Sequence, residues 1–374
     1  MKYFLIAGEA SGDLHASNLM RGLISADPQA RFRYMGGEQM AGVAGERVIH
    51  YRETNYMMLD VLLHLRKIVR TMRFLKQEIL KWKPDVVIPV DYPGLNLRMS
   101  RFAHSRGFRV FYFISPKVWA WKQRRVAALR KFTDRLFVIL PFEVEFFRRF
   151  GLEVQYHGNP LVDPVSDFMR QFEGSTSWRN RHGLDQRPLV ALLAGSRTKE
   201  IEAMLPLMVR LAQHYPETQF VVAGAPSIEP EFYERFLAGG RVKIVFGETY
   251  GLLASSVAGI VTSGTATLEA AMFGLPQAVV YKTGWPAYIL AKWIIKVNFI
   301  SLVNLIQGRE LVKEIIQKDL YNRMKDELNR ILNDASGREM MQAEYREMMG
   351  KLGAEGVSSR IGKQMVEILK TEAA

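Results

Sequence analysis

No cysteine occurs among the 374 residues. Disulfides, zinc–thiolate sites, iron–sulfur clusters and thiol nucleophiles are excluded with it, and a reducing compartment fits. No apolar run approaches the roughly 18 residues that cross a bilayer. The opening run Phe4-Leu5-Ile6-Ala7 is also short for a signal peptide, so a cytoplasmic protein is expected. Familiar nucleotide and metal signatures are missing as well. There is no GxxxxGK[ST], and no GxGxxG follows the first strand, which argues against P-loop and NAD chemistry. Asp-x-Asp and HExxH are absent, and no His, Asp and Glu set has metal-ligand spacing. Neither a metal nor a cofactor is expected.

What is present is a chain that must fold. Hydrophobic residues make up 48%, too many for disorder, and the length suits two domains. The net charge of +13 calls for an anionic partner: nucleic acid, a membrane surface or phosphorylated substrates. Short apolar runs predict strands at 2–7, 85–90, 108–114 and 135–140, then at 189–194, 219–223, 242–246, 258–262 and 277–281. Helical patterns separate most of them, which predicts parallel sheets covered on both faces. The polar segment 159–188 carries three prolines and no strand signal, and it reads as a linker. Beyond 311 the chain reads as helical throughout. The expected fold is α/β, with two Rossmann-like, doubly wound domains facing a cleft, and ligands beyond the carboxyl ends of the strands.

Four strand–helix junctions carry candidate chemistry. In Thr262–Pro276, TSGTATLEAAMFGLP, a strand runs through Ser263, Gly264 and Thr265 into a helix. Helix-start amides and the helix dipole favour a phosphate, with Ser263, Thr265 and Thr267 as hydroxyl donors and Glu269 as a ribose acceptor. An ordinary Ser/Thr-capped helix has the same sequence. In Leu192–Ile201, LLAGSRTKEI, Arg197 follows Gly195 and Ser196 at a strand end, suited to a phosphate or uracil carbonyl, or simply exposed on a loop. In VVIPVDYPGLN, Asp91 directly follows a strand, as a general base does; capping the next helix is the plainer role. FISPKVWAWKQRR combines Ser115, Trp119 and Trp121 with Lys122, Arg124 and Arg125, a mixture suited to a sugar or lipid phosphate, or to a half-buried helix with a basic edge. No repeated aromatic platform for nucleic acid is evident. The first loop, GEASGD, occupies the position of a nucleotide loop; Gly8 is expected to keep the site floor thin, Ser11 to face a ligand and Asp13 to cap the following helix.

Two amphipathic stretches stand apart. In 57–76, Met58, Val61, Leu62, Leu65, Ile68, Val69, Met72 and Leu75 recur at helical spacing, flanked by Arg66, Lys67, Arg70, Arg73 and Lys76. In 285–299 an apolar helix is broken by Lys292 and Lys296. Core helices with snorkelling lysines look like this, and so do interfacial helices. Arg66, Arg70 and Arg73 are the candidate membrane contacts.

GEASGD, SPKVWAW at 115–121, GSR at 195–197 with Glu200 and Ile201, SGTATLEAA at 263–271 and SLVNLIQGRELVKEIIQ at 301–317 occur in order. Together they resemble the lipid-A-disaccharide synthase family of inverting glycosyltransferases. The resemblance implies a GT-B-like fold, with an acceptor-side domain over 1–165 that includes a returning helix at about 350–374, and a UDP-sugar domain over 166–349. It implies UDP-2,3-diacylglucosamine as donor, 2,3-diacylglucosamine 1-phosphate (lipid X) as acceptor, work at the cytoplasmic face of the inner membrane, and a homodimer exchanging C-terminal segments. It places the essential aspartate on Asp91. Gly195, Ser196, Arg197, Glu200, Ser263, Gly264, Thr265, Thr267, Glu269, Asn304, Gln307 and Glu310 fall to the donor, and Gly8, Ser11, Ser115, Trp119 and Arg124 to the acceptor. The family's Ser-Leu-Pro-Asn reads Ser301-Leu302-Val303-Asn304 here, and its Gly-His-Pro reads Gly158-Asn159-Pro160, so no role passes to His157. A UDP-sugar 2-epimerase on the same fold, or a basic membrane-surface protein without catalysis, are the competing readings.

Overall fold

Buried β-branched and aromatic runs build two all-parallel sheets. The computed structural model describes residues 1–53, 65–237, 239–294 and 297–373. Chain contacts divide it into two units, Met1–Asp163 with Gly353–Ala374, and Pro164–Leu352.

The first unit alternates β1 (Lys2–Ala7), α1 (Ala10–Ala26), β2 (Arg31–Gly36), α2 (Glu38–Ala41), β3 (Glu46–His50), α3 (Leu65–Trp82), β4 (Val86–Val90), α4 (Pro93–Ser105), β5 (Arg109–Phe113), α5 (Val126–Phe132), β6 (Arg135–Val138), α6 (Pro141–Arg148) and β7 (Gln155–Tyr156). Its sheet runs β3-β2-β1-β4-β5-β6-β7. Phe4, Ile6, Val87 and Val110 meet Leu75, Leu95 and Met99 on one face. The alternate residues Tyr3 and Leu5 are just as buried, as expected of strands covered on both sides.

The second unit holds α7 (Val162–Gln171), α8 (Ser175–Arg181), β8 (Leu189–Leu193), α9 (Thr198–Ala212), β9 (Gln219–Gly224), α10 (Glu231–Leu237), β10 (Val242–Phe246), α11 (Thr249–Ser255), β11 (Ala258–Thr262), α12 (Thr265–Met272), β12 (Gln277–Tyr281), α13 (Trp285–Ile294), α14 (Leu302–Gln307), β13 (Glu314–Ile316), α15 (Leu320–Asn333) and α16 (Ala335–Leu352). Its sheet runs β10-β9-β8-β11-β12-β13. Val190 and Leu192 pack towards Met204 and Leu328, and Leu189 and Ala191 towards Trp178 and Leu252.

The last helix, α17 (Val357–Ala373), belongs to the first unit and lies along α1. A Cβ on Gly22 would stand 2.1 Å from the Ser358 carbonyl oxygen, and one on Gly362 would stand 2.4 Å from the Gly22 carbonyl carbon. The two glycines let the backbones touch. The Asp163 carboxylate accepts from the amides of Gly356, Val357 and Ser358 at 2.7, 3.0 and 2.9 Å, satisfying the start of α17 from a distant part of the chain.

Several sequence expectations change. Segment 159–188 holds α7 and α8 rather than an extended linker. Beyond 311 the chain first adds β13, a three-residue edge strand whose Lys and Glu neighbours hide it. β2, β3 and β7 were also not anticipated: RFRYMG and ERVIH mix charge with apolar residues, the latter at the sheet edge, and β7 has two residues. Asp13 lies inside α1 and caps another helix, its carboxylate accepting from the amides of Gly37, Gln39 and Met40 at the start of α2. Met58, Val61 and Leu62 lie outside the described residues, as do the side chains of Leu65, Lys67, Lys292 and residue Lys296.

Candidate active site

In each sheet the strand order reverses once, between β1 and β4 and between β8 and β11. Crevices outside the carboxyl ends of strands form at such points. The sequence candidates cluster there.

In the first unit the chain leaving β4 turns through Asp91 and Tyr92, with φ of 43° and 44°. Two successive non-glycine residues in the left-handed region store strain of about 1–3 kcal/mol each. Asn96 holds the turn: its buried Nδ2 donates to the carbonyls of Asp91 at 2.8 Å and Val90 at 2.9 Å, and lies 3.2 Å from that of Ile6. Tyr112 Oη adds a 2.6 Å bond to the Asp91 carbonyl. Thus Tyr92, not Asp91, is the N-cap of α4; the Asp91 backbone is clamped and its carboxylate accepts from the Tyr92 amide. Burial pushes that carboxyl up to about 7, helped by the negative charge of Glu9 and opposed by Lys117. An acid poised there exchanges a proton at neutral pH.

The other acceptor-side candidates fare differently. Gly8 is buried beneath the Tyr92 ring, which would lie 2.2 Å from a Cβ, so the glycine makes room for Tyr92 rather than for a ligand. Ser11 is exposed and donates to Glu9 at 3.0 Å. Ser115 and Trp119 are buried and turn inward, donating to Glu143 Oε1 at 2.5 and 3.2 Å, so neither presents its polar group to a substrate. Their segment is a turn followed by a 3₁₀ helix at Gln123–Arg125, not one helix, with Arg124 exposed on it. Glu143 and Glu9 are the residues that sequence reasoning missed. Both follow strand ends, but nothing in their local sequence separates them from surface carboxylates.

In the second unit β8 runs into Gly195 with φ of 123°, where a Cβ would strike Glu200 at 2.6 Å. Glu200 organises this loop: Oε2 accepts from the Ser196 amide at 3.0 Å and Oε1 from Arg197 at 2.9 Å. Arg197 is exposed. Tyr281 at the end of β12 has its phenol pushed up by burial and then by the charge of Glu200, which places a third strand end beside this loop.

At β11 the roles divide. The Ser263 amide donates to Val280 within the sheet, and its hydroxyl to the Ile300 carbonyl at 2.9 Å. Thr267 is fully buried and its hydroxyl donates back to the Gly264 carbonyl, so neither the Ser263 amide nor the Thr267 hydroxyl points outward. The amides of Gly264, Thr265 and Ala266 have no acceptor in the ladder of α12. Nothing lies within 4 Å of where a Gly264 Cβ would stand, so no packing requires glycine there, whereas an approaching phosphate would. Glu269 is raised by burial and accepts from Tyr250 at 3.0 Å, which fixes one oxygen.

Asn304, Gln307 and Glu310 do not join this group. The buried Asn304 amide is fully engaged, donating to Val312 O and Glu314 Oε1 and accepting from the amides of Leu311 and Val312, all within 2.8–2.9 Å. It staples α14 to the segment that leads into β13. Asn304→Ala is expected to cost about 2–3 kcal/mol by orphaning these buried partners, read as a lower urea midpoint. Gln307 donates to the Glu344 carbonyl on α16 and accepts from Lys351. Glu310 is exposed and pairs with Lys313 at 3.3 Å. Among the described residues no three His, Asp or Glu side chains converge as a metal site, and no helix is long and apolar enough to cross a membrane. Arg66, Arg70 and Arg73 line the exposed side of α3, and Trp285, Ile289 and Trp293 stand 55%, 54% and 86% exposed on one face of α13.

Comparison with known proteins bears on this arrangement. A solved UDP-GlcNAc 2-epimerase from Neisseria meningitidis, bound to UDP-GlcNAc, superposes with a TM-score of 0.70 at 13% identity, covering 99% of this chain and all of that one. The calicheamicin glycosyltransferase CalG4 gives 0.61 at 15% identity, covering 100% and 99%. These likenesses establish the two-domain, Rossmann-like GT-B fold. Sequence relatives go further. Lipid-A-disaccharide synthases of Myxococcus xanthus and Geobacter sulfurreducens are 36% and 35% identical, each over 98% of this chain and 97% of the relative. The model of the family described as lipid-A-disaccharide synthetase matches residues 3–368. By this match over nearly its whole length and by these relatives, the chain belongs to the lipid-A-disaccharide synthase family of glycosyltransferases.

Proposed function

We propose that this enzyme transfers 2,3-diacylglucosamine from UDP-2,3-diacylglucosamine to lipid X, giving the β-1,6-linked disaccharide 1-phosphate and UDP. The observation that carries the mechanism is the clamped, half-buried Asp91 with its carboxyl raised to near neutrality. Asp91 takes the proton of the acceptor 6-hydroxyl as that oxygen attacks the anomeric carbon. The bond from that carbon to the UDP phosphate oxygen breaks on the opposite face, so an α-linked donor yields a β-linked product. The departing diphosphate gains charge, met by Arg197 and the amides that open α12. Glu269, steadied by Tyr250, holds the ribose. The test is UDP release with labelled donor. Release that requires lipid X and yields disaccharide supports the reading; donor isomerisation or release without lipid X overturns it.

Metal independence belongs to the same proposal. Turnover is expected to survive EDTA, and strict dependence on an added divalent ion would count against cationic side chains and amides as the leaving-group stabilisers.

Because both substrates carry acyl chains, the enzyme is proposed to work on the cytoplasmic face of the inner membrane. The exposed arginines of α3 would each contribute about 1 kcal/mol near an anionic leaflet. Reversing the charge of Arg66, Arg70 and Arg73 together should weaken sedimentation with anionic vesicles at least tenfold; unchanged binding would remove α3 from the membrane contact. A homodimer exchanging C-terminal segments is the proposed assembly, read by light scattering.

A further inference from the structure

Glu143 has no part in the proton transfer described above, yet it is among the most heavily bonded carboxylates of the first unit. It sits in the first turn of α6, and reaches back to accept from the Leu140 amide at 2.9 Å and the Ile139 amide at 3.2 Å through Oε2. Helix starts often tie themselves this way. Here the other oxygen leaves its own element. Oε1 accepts from Ser115 Oγ and from Trp119 Nε1, both on the loop after β5. One buried carboxylate therefore ties that loop to the end of β6. The tied loop begins at Ile114, a β-branched residue at φ 63°, a conformation held only where surroundings over-determine it. It also carries Lys117, whose charge acts on Asp91.

We propose that Glu143 is the positioning residue of the base: its carboxylate fixes the Ser115–Trp119 loop, and with it Lys117, next to Asp91, and its own negative charge acts on Asp91. The inference rests on the reading of Asp91 as general base. The groups that face Asp91 are Glu9 just before α1, Lys117, the Tyr92 amide, Tyr112 on β5 and Glu143; Arg125 acts on Tyr112. Tyr156 on β7 faces Glu143 from the far side. Burial pushes the Glu143 carboxyl up to about 6, against four hydrogen bonds that pull it down.

In Glu143→Gln, an amide nitrogen replaces an oxygen that accepts two amides, and one negative charge is lost. Turnover should fall ~10- to 100-fold through misplacement of the loop, with the KM for donor unchanged because the donor groups lie in the other unit. The acid limb of kcat/KM should move: loss of the like charge of Glu143 draws it to lower pH, and displacement of Lys117 draws it to higher pH. Loss of packing alone would scale the profile without moving it. If Asp91→Asn is inactive and Glu143→Gln keeps both wild-type kcat and the wild-type limb, this inference is overturned while the base assignment stands. If Asp91→Asn keeps wild-type turnover, the base assignment fails and the inference falls with it. Should Glu143→Gln not fold, Ser115→Ala removes one donor and leaves three; a lower kcat at constant donor KM supports the tie, and an unchanged kcat overturns it.

Discussion

Asp91→Asn is expected to lower turnover ~10²–10⁴-fold, the usual contribution of a general base, while UDP binding is retained. Wild-type kcat/KM should fall as pH drops through about 7, where the raised carboxyl takes up its proton and can no longer accept one. The same substitution should stabilise the fold. The folded-state value lies above the ordinary 3.8, so between roughly pH 4 and 7 the folded chain holds a proton that the unfolded chain has released. Stability therefore declines as pH rises through that window, and the whole penalty is present above 7. Asn carries no charge to bury. Its melting temperature should exceed wild type at pH 8, with the difference gone near pH 4. Equal melting temperatures at pH 8 would show that Asp91 is not held uncomfortably, and a near-wild-type rate of UDP release would remove it from catalysis.

Gly22→Val is expected to give the largest loss of stability, about 3 kcal/mol, the upper part of the overpacking range. The added Cβ meets the Ser358 carbonyl oxygen at 2.1 Å, which is helix backbone and cannot rotate away. α17 would have to lift from α1, giving up Asp163 as the cap of its first turn as well. A melting temperature more than 5 °C lower is the expected readout for a cooperative first unit. Gly94→Ala is the control: it stands near the start of α4 with nothing within 4 Å of a Cβ, and should be neutral. If Gly22→Val melts with wild type, the close crossing of α1 and α17 is wrong.

Much of this molecule can be read along the chain. Nine of the thirteen strands among the described residues match the sequence reading within two residues at either end, because a strand buried on both faces is a continuous run of Val, Ile, Leu and aromatic residues. Three of the four strands that escaped, β3, β7 and β13, are edges; the fourth, β2, lies next to edge strand β3 and alternates Arg with aromatic residues. β3 needs only one hydrogen-bonded neighbour and tolerates the exposed, successive Glu46 and Arg47, one on each face, so its sequence resembles a loop. The resemblance motifs likewise pointed to the family that the full-length relatives show. Those motifs blended two kinds of residue, though. Asp91, Arg197 and the start of α12 stand where chemistry can use them. Asn304, Gln307, Ser115 and Trp119 hold the frame, and local sequence does not tell a ligand's hydrogen-bond partner from a neighbouring helix's.

The sequence by itself determined the fold class, the alternation of strand and helix, and the family, since these follow from hydrophobic periodicity and from motifs whose order survives without coordinates. Only the tertiary structure decided which strands lie side by side, and hence where each sheet reverses and opens its crevice. It also decided which polar groups are already engaged. Asn304 and Asp91 are both polar residues at turns of the sequence, yet one has its side-chain amide closed by four hydrogen bonds from the chain, and the other has its backbone clamped while burial raises its carboxyl. That difference is set by partners 5 to 22 residues away or on another strand, brought close by packing rather than by spacing.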